Sequence, residues 1–228
     1  MSTAPECGYC VDLLPARQQQ LIAKHPVCWL PWATLEARGS HLPRGGAGFI
    51  AEAVAEGAAR RVGGVLYPVL WWDAAADVAL FRQMLAARLS SVAAQGFQTA
   101  VVIGFPETSA IDLAQIETAE AALAQHQLLT LAVSPLELVD ETMQDHGALW
   151  ETSLLLALHP ELVDFGQLAP TDGRDVRDVA NPSLGQHALA LAIERLAKAV
   201  YDVYKRRNAA AIAALYQQRR ARYYRSTL

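Results

Sequence analysis

Leu35-Glu36-Ala37-Arg38-Gly39-Ser40-His41-Leu42-Pro43-Arg44-Gly45-Gly46-Ala47 is the stretch on which the reading of this chain turns. Its glycines and Pro43 make it a loop, because glycine opens backbone angles closed to other residues and proline removes an amide donor. Its polar side chains include the carboxylate Glu36, the guanidinium Arg38 and the imidazole His41. Just before it, Val27-Cys28-Trp29-Leu30 is an apolar run that predicts a short buried strand closed by Pro31. Just after it, Phe49 to Arg61 carries Ile50, Val54 and Ala58 at helical spacing and ends at Gly63-Gly64. Strand, polar loop and helix in that order are how a parallel sheet presents side chains beyond its carboxyl edge.

The alternation continues along the chain. Pro15 to Lys24 reads as a helix, Val65 to Leu70 as a strand, and Val78 to Gln95 as a helix stopped at Gly96. Thr99 to Ile103 follows as a strand, Ile111 to Gln125 as a helix and Leu128 to Val133 as a strand. Strands alternating with helices of this length predict an α/β fold with a mainly parallel sheet covered on both faces. The 228 residues, 53% hydrophobic and 18% charged, suffice for one core, so a single domain over 1–228 is expected. Residues 1–14 are read as a flexible extension and 184–228 as a helical segment with a basic tail. A net charge of −4 points to no strongly acidic or basic partner. No apolar run long enough for a membrane span occurs, and no basic-then-apolar leader opens the chain. Three cysteines fit a reducing compartment, so a cytoplasmic location is expected.

The opening stretch resembles the metal-binding signature of the creatininase (creatinine amidohydrolase) family. That signature runs Glu-x-His-Gly-x-His-Leu-Pro and, three residues on, Asp. Three further blocks are similar to the family: Phe49-Ile50-Ala51-Glu52-Ala53-Val54-Ala55, then Gly96-Phe97 through Ile103-Gly104-Phe105-Pro106-Glu107, and His146-Gly147-Ala148-Leu149-Trp150-Glu151-Thr152-Ser153 running on into Leu156–Val163. The resemblance implies a three-layer α/β/α fold, assembly often into hexamers, and metal-dependent hydrolysis of non-peptide C–N bonds. Carried across residue by residue, it puts Glu36 and Glu107 at ligand positions. It also puts Arg38 and Phe105 where the family has histidines, and Ala47 where the family has a bridging Asp.

A dinuclear hydrolytic site needs imidazole and carboxylate donors converging on two cations. Two carboxylates beside a fixed guanidinium are a poor substitute, since the positive charge opposes a cation at close range. Arg38 is therefore expected to fill the vacated space by pairing with Glu36 or Glu107; binding of a carboxylate or phosphate ligand by Arg38 is the competing reading. The leading expectation is a non-catalytic binding or assembly subunit, a pseudoenzyme without cofactor. It would form a homo-oligomer, or a mixed oligomer with an active paralogue. The alternative is a metal-dependent amidohydrolase with a rebuilt site, holding Zn or Mn on Glu36 and Glu107. His146, Glu151 and Glu107 are the catalytic candidates, and Glu36, Arg38, His41, Phe105, Trp72 and Trp150 the candidate pocket. Glu151-Thr152-Ser153 reads equally as a helix N-terminus.

Two further features stand apart from this site. Cys7, Cys10, His25 and Cys28 have the residue types and pair spacings of a small structural zinc site. Against that, Cys28 falls in the first predicted strand and is expected to be buried, away from the N-terminus. From Arg195 onward nine basic residues face the single acid Asp202, yet no nucleic-acid motif accompanies them. A packed helix with a solvated basic face is expected there rather than a nucleic-acid interface.

Overall fold

The computed structural model describes residues 5–73, 77–106, 108–169 and 175–225. At its centre is β2, Val27–Thr34, whose eight residues are all buried. The strands β1 (Cys7–Tyr9), β3 (Gly64–Leu66), β4 (Leu70–Trp72), β5 (Thr99–Gly104) and β6 (Leu129–Val133) join it, and every pairing is parallel. The order across the sheet is β1-β3-β2-β5-β6, with β4 alongside β2 beyond β3. Strands buried on both faces explain the largely apolar runs of β2, β5 and β6.

Helices cover both faces. On one lie α1 (Pro15–Lys24), α3 (Val78–Ala94) and α4 (Ser109–His126), with Gln18 of α1 donating to Gln95 at 2.9 Å. On the other, α2 (Gly46–Val62), α5 (Leu149–Leu158) and α6 (Pro182–Arg206) pack on one another. α7 (Ala209–Arg225) runs along the β6 edge. Caps mark several starts: Asp77 accepts from the Ala79 amide, Thr108 from Ile111 and Asn181 from Leu184. The result is the three-layer α/β/α arrangement, and no described helix is long and apolar enough to cross a membrane.

Three expectations change. Pro31 does not close the first strand, which continues to Thr34. The Trp29 carbonyl accepts from the Tyr67 amide at 2.9 Å, so Trp29 and, two residues on, Pro31 turn their backbone groups toward β3 and β4. There β3 has ended at Leu66 and β4 has not begun, so the missing N–H of Pro31 forfeits no ladder bond. Second, the strand expected over 65–70 is two strands, interrupted at Tyr67-Pro68-Val69, because Pro68 likewise has no donor. Third, Cys7–Tyr9 within the supposed flexible extension is a sheet strand in register with Gly64–Leu66.

The basic tail is packed helix as expected, and the inner face of α7 covers a sheet edge. Tyr216, 1% exposed, donates from its hydroxyl to the Thr130 carbonyl at 2.7 Å and accepts from the Ala132 amide at 3.0 Å. Arg219 donates to the Ala132 carbonyl and to Asp112, and lies 3.3 Å from Glu137. Side chains of α7 thus satisfy backbone groups on the outer edge of β6 that would otherwise be a template for strand addition.

Candidate functional site

The loop leaving β2 and the loop preceding α5 meet beyond the carboxyl edge of the sheet. Two glycines make the fit possible. Gly39 has φ +87° and Gly147 φ +63°, and a Cβ on Gly147 would lie 2.0 Å from the Arg38 carbonyl oxygen. The backbone of one loop therefore rests directly on that of the other.

Arg38 is at the centre, 4% exposed. Its Nη1 donates to Glu151 Oε1, and its Nη2 lies 2.9 Å from Glu36 Oε1 in an ion pair without hydrogen-bond alignment. The guanidinium stands over the Phe105 ring, 5.3 Å from its centroid. Glu151, in the first turn of α5 and 2% exposed, accepts with its second oxygen from the Gly147 amide at 2.8 Å. Burial pushes the Glu151 carboxyl up to about 7, while Arg38 and the Gly147 amide pull in the other direction. The expected pairing of Arg38 with Glu36 is present; its tighter partner is Glu151, 113 residues away, which the sequence offered only as a catalytic or helix-start residue.

His146 lies on the rim, its side chain 57% exposed, with Nε2 3.9 Å from Glu36 Oε1. Burial, then the Arg38 charge, lowers its pKa below the usual imidazole value, so it is neutral at neutral pH. Asp145 beside it is a residue the sequence reading missed. Its carboxylate accepts from the Trp150 and Glu151 amides at 2.6 and 3.1 Å and so orders the first turn of α5. The signal was present, an Asp a few residues ahead of a helical run. Burial raises its pKa as well.

The remaining candidates occupy other places. His41, 2% exposed, pairs through Nε2 with Thr152 Oγ1 at 2.9 Å and stacks on Phe165, bracing the loop from behind. Ala47 is buried in the first turn of α2. Trp72 packs edge-on against Phe81 of α3, in the other layer, and Trp150 lines a separate cavity of about 540 Å³ with Leu149, Val176 and Val179. Glu107 lies outside the described residues. The Arg38 cavity itself measures about 230 Å³ and is lined by Arg38, Phe105, Pro106, Ser134, Gln144, Asp145 and His146.

The cysteines are not brought together with His25. Cys7 feels Arg60 and Glu56 of α2, whereas Cys10 and Cys28 feel Arg88 of α3, on the opposite face of the sheet. His25 faces Gly63 and the Lys205 side of the molecule. Among the described residues no three or more His, Cys, Asp or Glu side chains are grouped to hold a metal ion. At the Arg38 site the donor set does not fit a divalent cation: a guanidinium occupies the space between Glu36 and Glu151, and an aromatic ring closes another side. What the arrangement offers chemically is a buried, charge-compensated triad with a half-exposed imidazole at its mouth.

A family model described as "Creatininase: Creatinine amidohydrolase" matches residues 15–201. Among solved structures, a crystal structure of creatinine amidohydrolase (creatininase) is 20% identical, with a TM-score of 0.67 over 88% of this chain and 98% of that one. A structure titled "Creatininase Mn" is 21% identical, with a TM-score of 0.67 over 85% of this chain and 97% of that one. A putative creatinine amidohydrolase from Bacteroides fragilis is 18% identical, with a TM-score of 0.67 over 89% and 97% of the two chains. At these identities the likeness is one of fold. No curated protein sequence matches.

Proposed function

The chain belongs to the creatininase family, and from that premise we propose that it is a non-catalytic member whose polar centre serves binding or assembly rather than hydrolysis. One observation carries the reading: the Arg38 guanidinium sits between Glu36 and Glu151 and over Phe105. A planar cation with several donors meets carboxylates in a fixed geometry, and so supplies internally the positive charge that a metal would bring. The neutral His146 at the mouth then has no activated water to serve as a base for. Such a subunit would act as a homo-oligomer, a hexamer included, or beside a catalytically active paralogue.

A second reading has an observation in its favour. Glu36 Oε1 is buried without an aligned donor among the described residues, and His146 stands 3.9 Å from it. These groups with Glu107 could form a rebuilt Zn or Mn site of a small-amide hydrolase, and structures in the comparison are titled for Mn and Zn–Zn forms. Elemental analysis of the unchelated protein decides between the two. The non-catalytic reading expects far less than one Zn, Mn or Fe per chain. It also expects the Arg38→His/Ala47→Asp/Phe105→His triple variant to take up metal that the parent refuses. Near-stoichiometric metal in the parent, lost on Glu36→Gln, would overturn it. Light scattering on the eluting protein measures the assembly.

A further inference from the structure

The interruption between β3 and β4 has a second effect besides accommodating Pro31. Where Tyr67-Pro68-Val69 leaves the sheet, a cavity of about 310 Å³ opens toward α3. Its walls are apolar: Leu30 and Trp32 from β2, Val102 from β5, and Phe81, Met84 and Leu85 from α3. Space of this size holds roughly ten water-sized groups, enough for a small aliphatic or aromatic body.

One cation marks the mouth. Arg88, exposed on α3, holds its guanidinium 5.4 Å from the centroid of the half-buried Tyr67 ring. Among the described residues it has no carboxylate partner, whereas Arg82, on the same helix, is paired with Glu117. Asp12 acts on Cys10 from the exposed β1–α1 turn but forms no ion pair with Arg88. Val11, 70% exposed, adds an uncovered apolar residue to the lining. An apolar chamber with a single unpaired guanidinium at its entrance matches one ligand chemistry, an apolar body ending in one anionic group.

We propose that this cavity is a binding site for a small apolar monocarboxylate, its body against Leu30, Trp32 and Leu85 and its carboxylate on Arg88. It shares no lining residue with the Arg38 cavity. It therefore stands whether or not the Arg38 site is catalytic.

The cysteines provide a built-in reporter, because Cys10 lines this cavity while Cys7 faces α2 on the other side of the sheet. Octanoate is the probe, with 1-octanol as its uncharged counterpart. In the full chain, octanoate should bind saturably by calorimetry and slow thiol modification at Cys10 but not at Cys7, read by peptide mass spectrometry. Arg88→Gln, a surface change that leaves the fold intact by circular dichroism, should weaken octanoate about tenfold or more, the effect of losing a charge-assisted hydrogen bond. Met84→Trp, which fills the chamber, should abolish binding while Arg88 remains. Equal protection of both cysteines, equal binding of octanol, or undiminished binding by Arg88→Gln would each overturn the proposal, reducing the feature to an apolar void. No protection of Cys10 at millimolar octanoate would do the same.

Discussion

Arg38 and Glu151 show how one buried guanidinium organises a site. A buried guanidinium and carboxylate, with side chains 5% and 2% exposed, are worth little as a net pair but much as a matched set. Removing one leaves the other without compensation. Arg38→Met should therefore destabilise the protein by about 3–5 kcal/mol in urea unfolding, and Arg38→Met/Glu151→Leu should recover most of that loss in a double-mutant cycle. The pH dependence follows from the carboxyls. Burial raises the pKa of Glu151, to about 7, and also those of Asp145 and Glu137. A carboxyl raised in the folded state binds its proton more tightly there than in the unfolded chain. Its stabilising contribution is complete below the unfolded pKa and disappears as pH rises through the folded one. This contribution should fall between about pH 5 and pH 8; because His146 and His25, whose pKa values burial lowers, act in the opposite sense, it is read as the difference in melting temperature between the parent and Glu151→Gln. A difference that stays flat or grows in the parent's favour over that range would contradict this assignment.

Among the elements, α7 has the clearest role. Arg219 is 2% exposed and joins Asp112 and Glu137, while Tyr216 occupies the edge of β6. Arg219→Ala removes the nearest cation from two buried acids, leaving, among the described residues, Asp112 only the Tyr223 hydroxyl and Glu137 only Arg222 at 3.5 Å and the Ser134 amide, and should cost about 3 kcal/mol. Deleting residues 209–228 should expose the β6 edge and give concentration-dependent aggregation by light scattering; a monodisperse truncated chain would show that α7 does not protect the sheet. The period of the sequence predicted every major helix and strand before α5, because buried parallel strands and amphipathic helices announce themselves locally. Element ends were harder to see. By local pattern Pro31 predicts a terminator, and Pro68 sits inside an apolar run that predicts one strand. Their true roles depend on whether a neighbouring strand needs the missing N–H at that position, and no local pattern contains that information.

For the molecule as a whole, acids scattered through the sequence take up part of the basic tail. Arg220 is held bidentately by Glu120 at 2.6 and 2.8 Å, 100 residues away, and Arg219 is buried. With a net charge of −4, the protein should elute from heparin near physiological salt or below. Retention to high salt would restore nucleic acid as a partner.

The sequence by itself determined the family and the α/β fold, and placed Arg38, Ala47 and Phe105 at positions where the resemblance implies metal ligands. These rest on residue identity and local periodicity, which are readable in one dimension. Only the tertiary structure decided that Arg38 chooses Glu151, that Asp145 orders the turn presenting it, and that Cys7 and Cys10 lie on opposite sides of the sheet. The same holds for the chamber that opens where a strand breaks. Partner choice, burial and empty space arise from segments far apart in the chain, set by how layers pack, and the free energy of a buried charge depends on those surroundings rather than on its neighbours in sequence.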